Sequence, residues 1–224
     1  MTTDPKPKSS LLQSPVILIG LVLVCIAGGV FLYFQKGDEF QKGDEDPYAQ
    51  SKLIEFKTGL TSNAQPTTEF KDLVLKSVEG KDVTLQSHFE KNNLIFVVLR
   101  GYAGSICPYC SAQTQRLVTN YDEIKKAGAD VLIAYPIESD DDTKLAKQLV
   151  KQATYGIKIE NLPLTFAVDV NLKVVDQLGI RADLSKPATY ILDKEGKVRF
   201  AYVGESLSDR PSVKELLTQL KALN

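Results

Sequence analysis

The chain has 224 residues, 43% of them hydrophobic and 25% charged, and 27 Lys and Arg against 28 Asp and Glu give a formal net charge of −1. That balance leaves no basic stripe, which excludes nucleic-acid binding as the main role. Three cysteines and one histidine, with one close pair among them, do not supply the two ligand pairs of a closed structural zinc site, leaving only a site shared between two chains.

Residues 1–14, with Pro5, Pro7 and Ser9-Ser10, read as an N-terminal tail. No charged side chain occurs from Ser9 to Gln35, and within that stretch residues 15–34 form an almost wholly apolar run of twenty. At 1.5 Å per residue this length crosses a hydrocarbon core of about 30 Å, and the run is longer than the apolar part of a cleaved signal peptide. Tyr33 and Phe34 suit an interfacial anchor, and no A-x-A pattern ends the run. The expectation is therefore a retained single-pass transmembrane helix, with Cys25 as a small apolar residue inside it. Lys6 and Lys8 on one side nearly tie with Lys36 and Lys42 on the other. The N-terminal position of the span is compatible with a cell inner membrane protein whose bulk is periplasmic, where disulfide chemistry is at home.

Residues 35–65 read as a hydrophilic linker that carries the duplicated segment Gln-Lys-Gly-Asp-Glu at 35–39 and 41–45. Tyr48–Leu60 has the pattern of a short helix and Thr61–Pro66 that of a turn. Residues 66–224 then read as one α/β domain, large enough for a single core. Leu73–Leu75 and Val83–Leu85 flank Glu79-Gly80 as a hairpin, and Leu94–Leu99 is a continuous apolar run, the mark of a buried central strand. Cys110–Lys126 has Leu117, Tyr121 and Ile124 at helical spacing and stops at Gly128. Val131–Tyr135 is expected as a strand ended by Pro136, Thr143–Thr154 as a helix, and Thr165–Val168 as a short strand. Asn171–Leu178 is a short helix before Gly179, Ala188–Leu192 and Lys197–Tyr202 form a second hairpin, and Pro211–Leu223 closes the chain as a helix. Alternation in the middle and a hairpin at the end predict a mixed sheet with helices on both faces.

Cys107-Pro108-Tyr109-Cys110 sits between the central strand and its following helix. Positions i and i+3 on a helix are about 5–6 Å apart at Cβ, close to the reach of a disulfide. So short a loop adds little chain-entropy stabilisation, which suits a redox pair better than a staple. The helix N-terminus is expected to favour a Cys107 thiolate as nucleophile, with Cys110 as resolving thiol and Pro108 fitting the first turn. Tyr109 is read as a rim residue or a plain surface aromatic. His88 is read as a surface or capping residue, and Arg116 as solvent-exposed or salt-bridged.

The strand–loop–CPYC–helix unit, together with Lys186-Pro187-Ala188-Thr189-Tyr190-Ile191-Leu192-Asp193 and Glu195-Gly196-Lys197-Val198, resembles the redoxin branch of the thioredoxin superfamily. That branch holds the peroxiredoxin-like alkyl hydroperoxide reductase/thiol-specific antioxidant domains and membrane-tethered thiol–disulfide oxidoreductases. The resemblance implies a thioredoxin-like α/β fold and makes Pro187 the substrate-binding cis-proline that faces the cysteines. It also exposes departures. Typical peroxiredoxins carry Pro-x-x-x-Thr/Ser-x-x-Cys, but Arg100 and Gly104 occupy those positions, and Pro187 stands where their arginine would be. Arg100 is then the candidate auxiliary positive group.

These residues lead first to a membrane-anchored thiol–disulfide oxidoreductase acting on protein partners, with a separate thiol electron donor or acceptor. The alternatives are a thiol-dependent peroxidase with Cys107 peroxidatic and a redox-inert binding module. None of the three requires a cofactor or metal.

Overall fold

A computed structural model describes residues 56–102 and 104–223. The expected tail at 1–14, the apolar span at 15–34 with Cys25, and residues 35–55 of the linker lie outside the described residues. Among the described residues, no helix is long and apolar enough to cross a membrane.

Strands β1 (Phe56–Lys57), β2 (Val74–Lys76) and β3 (Asp82–Thr84) come first, followed by the short helix α1 (Gln86–Phe89) and β4 (Asn93–Val98). Helices α2 (Pro108–Thr119) and α3 (Tyr121–Lys126) lead to β5 (Ala129–Ile137), α4 (Thr143–Ala153), β6 (Thr165–Val170) and α5 (Lys173–Gln177). The hairpin β7 (Ala188–Leu192) and β8 (Val198–Val203), the short β9 (Arg210–Pro211) and α6 (Val213–Lys221) complete the domain.

The Leu94–Leu99 run becomes a strand with no solvent side, since β4 is buried at every position. It pairs in parallel with β5 and antiparallel with β7, at the heart of a seven-stranded mixed sheet ordered β3-β2-β6-β5-β4-β7-β8. Period-two alternation divides its side chains between two cores. Ile95, Val97 and Leu99 join Cys107, Cys110, Tyr135 and the helical residues Leu117, Leu149 and Leu216 on one face. Leu94, Phe96 and Val98 join Phe70, Phe89, Val174 and Tyr190 on the other. Helices therefore cover both faces, as the alternation predicts.

Four details differ from expectation. The described end of the expected helix at Tyr48–Leu60 is a strand instead: β1 pairs in parallel with β9, setting Phe56 beside Arg210. The first turn expected from Pro211 is given to that ladder, and α6 starts after Ser212, whose side chain accepts from the Glu215 N–H. Pro136 does not end β5, because it lies opposite Asp169 of β6. Ala134 faces β4, accepting from Leu99, and Pro136 faces the same side two residues on, past the end of β4, so its missing N–H leaves no ladder partner unmet. The long helix expected over Cys110–Lys126 is broken at Asn120, whose side-chain amide donates to the Arg116 carbonyl at 2.8 Å.

Candidate active site

The cysteine pair lies beyond the carboxyl end of β4, where open α/β sheets place their sites. The intervening loop is pressed onto β5. Gly101 has φ +91°, and a Cβ there would lie 2.5 Å from the Pro136 carbonyl oxygen, so any other residue would lift the loop away. Cys107 is the N-cap of α2, with extended backbone (φ −71°, ψ 119°), and Pro108 occupies the first helical position without losing a hydrogen bond. The Ser111 N–H closes the first turn on the Cys107 carbonyl at 3.1 Å. Both cysteines are reduced and buried, Cys107 at 4% exposure and Cys110 at 0%. Pro108 is exposed and Tyr109 half-buried against the same core, so these two form the outer lip.

The inner side is polar. Arg210 is fully buried, and its guanidinium donates through Nη2 to Cys110 Sγ at 3.6 Å, through Nε to the Leu207 carbonyl at 3.2 Å, and through Nη1 to Gln113 Oε1. Tyr135 points its hydroxyl into this core without a hydrogen-bond partner among the described residues, as do Thr114 Oγ1 and Gln115 Oε1. Burial, then the neighbouring Cys110 and Cys107, push the Tyr135 hydroxyl up, so it stays protonated.

This environment acts on the two sulfurs in opposite directions. The hydrogen bond that Cys107 makes to Cys110, followed by burial, pushes Cys107 up. Burial alone would raise Cys110 as well, but the Cys107 thiol, the Arg210 charge and the Arg100 main-chain N–H outweigh it and bring Cys110 down. The buried cation at hydrogen-bond distance therefore favours a thiolate on the inner sulfur.

The other candidates separate. Arg100 serves through its backbone, while its guanidinium reaches the exposed Asp183 at 3.7 Å. Pro187 is buried at the start of β7, at the same end of the sheet as the cysteine loop, since Ala188 lies opposite Val98. It is not a cis-proline: there is no cis peptide bond among the described residues. The chain enters β7 extended, with the Lys186 N–H on the Ile180 carbonyl and the Gly204 N–H on the Pro187 carbonyl, and a trans proline fits such a strand start. His88 lies in α1, which precedes β4, at the far end of the sheet from the cysteines. Arg116 stacks on the Phe56 ring, 3.4 Å from its centroid. Among the described residues, no group of three or more His, Cys, Asp or Glu could hold a metal ion.

Arg210 and Gln113 escaped the sequence reading. Ser208-Asp209-Arg210-Pro211 has the composition of a solvated loop, and only the β1–β9 ladder carries its arginine inward. Seven buried positions on a helix rich in Ser, Thr and Gln were equally out of reach of a hydrophobic pattern.

A mixed sheet covered on both faces, with a dithiol heading the helix after its central strand, defines a thioredoxin-like α/β protein. The AhpC/TSA family profile matches residues 66–201, and the chain belongs to that family. It is 33% identical over 135 residues to a chloroplastic peroxiredoxin Q of Triticum aestivum, covering 58% of this chain and 55% of that protein. The chain spans about half the length of the curated relatives it matches first. The fold is shared with peroxiredoxin Q of Xanthomonas campestris at TM-score 0.53 and 20% identity, over 72% of this chain and 98% of that one. It is shared with the mitochondrial 2-Cys peroxiredoxin of Plasmodium falciparum at TM-score 0.56 and 16% identity, over 71% and 94%.

Proposed function

We propose that this chain is a thiol-dependent peroxidase in which Cys107 attacks the peroxide and Cys110 resolves. The observation that carries this reading is the adjacent buried dithiol heading α2 in a domain that belongs to the AhpC/TSA family and is similar to peroxiredoxin Q. It replaces disulfide exchange with proteins as the leading reading from the sequence.

The pair holds one proton between two sulfurs, and Cys107 is the outer of the two. When that proton passes to Cys110, the Cys107 thiolate attacks the peroxide O–O bond. Cys107 becomes a sulfenic acid, and the departing alkoxide or hydroxide takes the proton from Cys110, leaving it a thiolate. The Cys110 thiolate then attacks Cys107 sulfur, the S–O bond breaks, and the hydroxide released takes a proton from solvent and leaves as water, giving the disulfide. A thiol donor supplies two electrons and two protons to restore the dithiol.

Disulfide exchange with a protein partner is the second reading, favoured by Arg100 and Gly104, which stand where typical peroxidases hold proline and Thr or Ser. In the same reading, the twenty-residue apolar run at 15–34 supports tethering of the domain to the inner membrane, facing the periplasm.

Stopped-flow mixing of the reduced full chain with hydrogen peroxide and with a model disulfide tests the choice. Fast peroxide consumption that disappears in Cys107→Ser is expected. Slow peroxide reaction beside fast disulfide exchange would transfer the assignment to the second reading.

A further inference from the structure

The geometry points to Arg210 as the electrostatic partner of Cys110, a buried guanidinium that holds the resolving sulfur as a thiolate so that it captures oxidised Cys107 at once. This rests on the reading of Cys110 as the resolving thiol.

Arg210 has 0% exposure, and the acceptors described for its guanidinium are one carbonyl, one amide oxygen and one sulfur. A buried cation is costly unless it meets a compensating negative charge. Its neighbour Asp209 does not provide one, being held by the Tyr202 hydroxyl at 2.9 Å, the Glu205 N–H at 3.0 Å and Lys57 Nζ at 3.2 Å. The acceptor at hand that can become an anion is Cys110 Sγ, 3.6 Å away. The guanidinium is aimed by Gln113, one turn further along α2, and by the Leu207 carbonyl. The groups facing Cys110 are the Cys107 thiol on its own helix, Tyr135 on β5, the Arg100 N–H after β4 and Arg210 on β9. Of these, Arg210 alone brings a full charge at hydrogen-bond distance.

The consequence concerns competition between two fates of oxidised Cys107. A second peroxide would carry its sulfenic acid on to sulfinic acid, whereas Cys110 closes the disulfide. A Cys110 that is already a thiolate needs no proton removed before it attacks. The same charge stabilises the reduced pair over the disulfide, which makes the pair more oxidising. Arg210 lies outside the position equivalent to the peroxiredoxin arginine, which Pro187 occupies.

The test uses the full chain with Cys25→Ser and Cys107→Ser, leaving Cys110 as its one thiol, and follows thiolate absorbance near 240 nm against pH. Arg210→Met is expected to raise the Cys110 midpoint by about 1–3 pH units, the size of an opposite-charge effect, and Arg210→Lys to recover part of that shift. A midpoint unmoved by both substitutions overturns the proposal. If Arg210→Met does not fold, judged by circular dichroism, Arg210→Lys decides alone, because its ammonium cannot reach all three acceptors. In the chain with both cysteines, Arg210→Met should increase Cys107 sulfinic acid per turnover several-fold at high peroxide. Equal slowing of both steps would indicate a merely structural role and overturn the proposal. A shifted midpoint in a chain that does not consume peroxide would sustain Arg210 and discard the peroxidase reading.

Discussion

The two faces of the central sheet treat buried polar groups differently. On the face away from the cysteines, Phe70, Phe96 and Tyr190 pack as an aromatic trio, with Phe70 and Tyr190 edge to face at 5.0 Å between ring centroids. Where a carboxylate enters that neighbourhood each of its oxygens has a donor: Asp169 accepts from the Val174 and Val175 N–H groups, each at 2.9 Å. On the cysteine face, Tyr135, Thr114 and Gln115 each hold a buried oxygen with no hydrogen-bond partner among the described residues, and Arg210 faces a sulfur. Buried polar groups are usually satisfied, and exceptions gather where function outranks local consistency. The contrast locates the chemistry independently of the cysteine motif.

Emptying the aromatic trio should cost the most. Phe96→Ala removes a fully buried ring, and a loss of about 3–5 kcal/mol in denaturant unfolding is expected, with the Cys110 titration unchanged in the folded protein. A moved titration would show that the two faces are coupled through β4.

A smaller effect is expected at the β7–β8 turn, away from both cores. Asp193 accepts from the Lys197 N–H at 2.8 Å, the Glu195 N–H at 3.1 Å and Arg199 Nε at 2.5 Å. Burial raises its carboxyl, but these donors outweigh burial and hold it below the ordinary range. A carboxyl lowered by folding adds stability above its unfolded pKa of about 3.9 and loses it as pH falls through the folded value. Asp193→Asn should therefore cost about 1–3 kcal/mol at neutral pH, and urea titrations in acid should show the gap closing. A gap that persists in acid would assign the loss to packing instead.

The smallest change is expected from Tyr135→Phe. Removing a hydroxyl that has no partner should shift stability by no more than about 1 kcal/mol, towards stabilisation. A larger loss would place Tyr135 among the satisfied polar groups and erase the contrast between the faces.

Much of this was legible from residue order. The apolar run Leu94–Leu99 specified a strand buried on both sides, the paired patterns around Gly80 and Gly196 specified two hairpins, and the Cys107–Cys110 spacing after that strand specified a dithiol at a helix head. These are local signals, because period, turn chemistry and spacing act within a few residues. The trans state of Pro187, the passage of β5 through Pro136, and a buried cation set against Cys110 rather than Cys107 came from contacts between segments far apart in the chain. Above all, β1 and β9 carry no hydrophobic pattern of their own, yet their pairing drives Arg210 beneath the cysteines. The sequence by itself determined that a redox pair would head this helix. Only the tertiary structure decided which sulfur faces a cation, because Arg210 is delivered from the far end of the chain into a site where water cannot screen it.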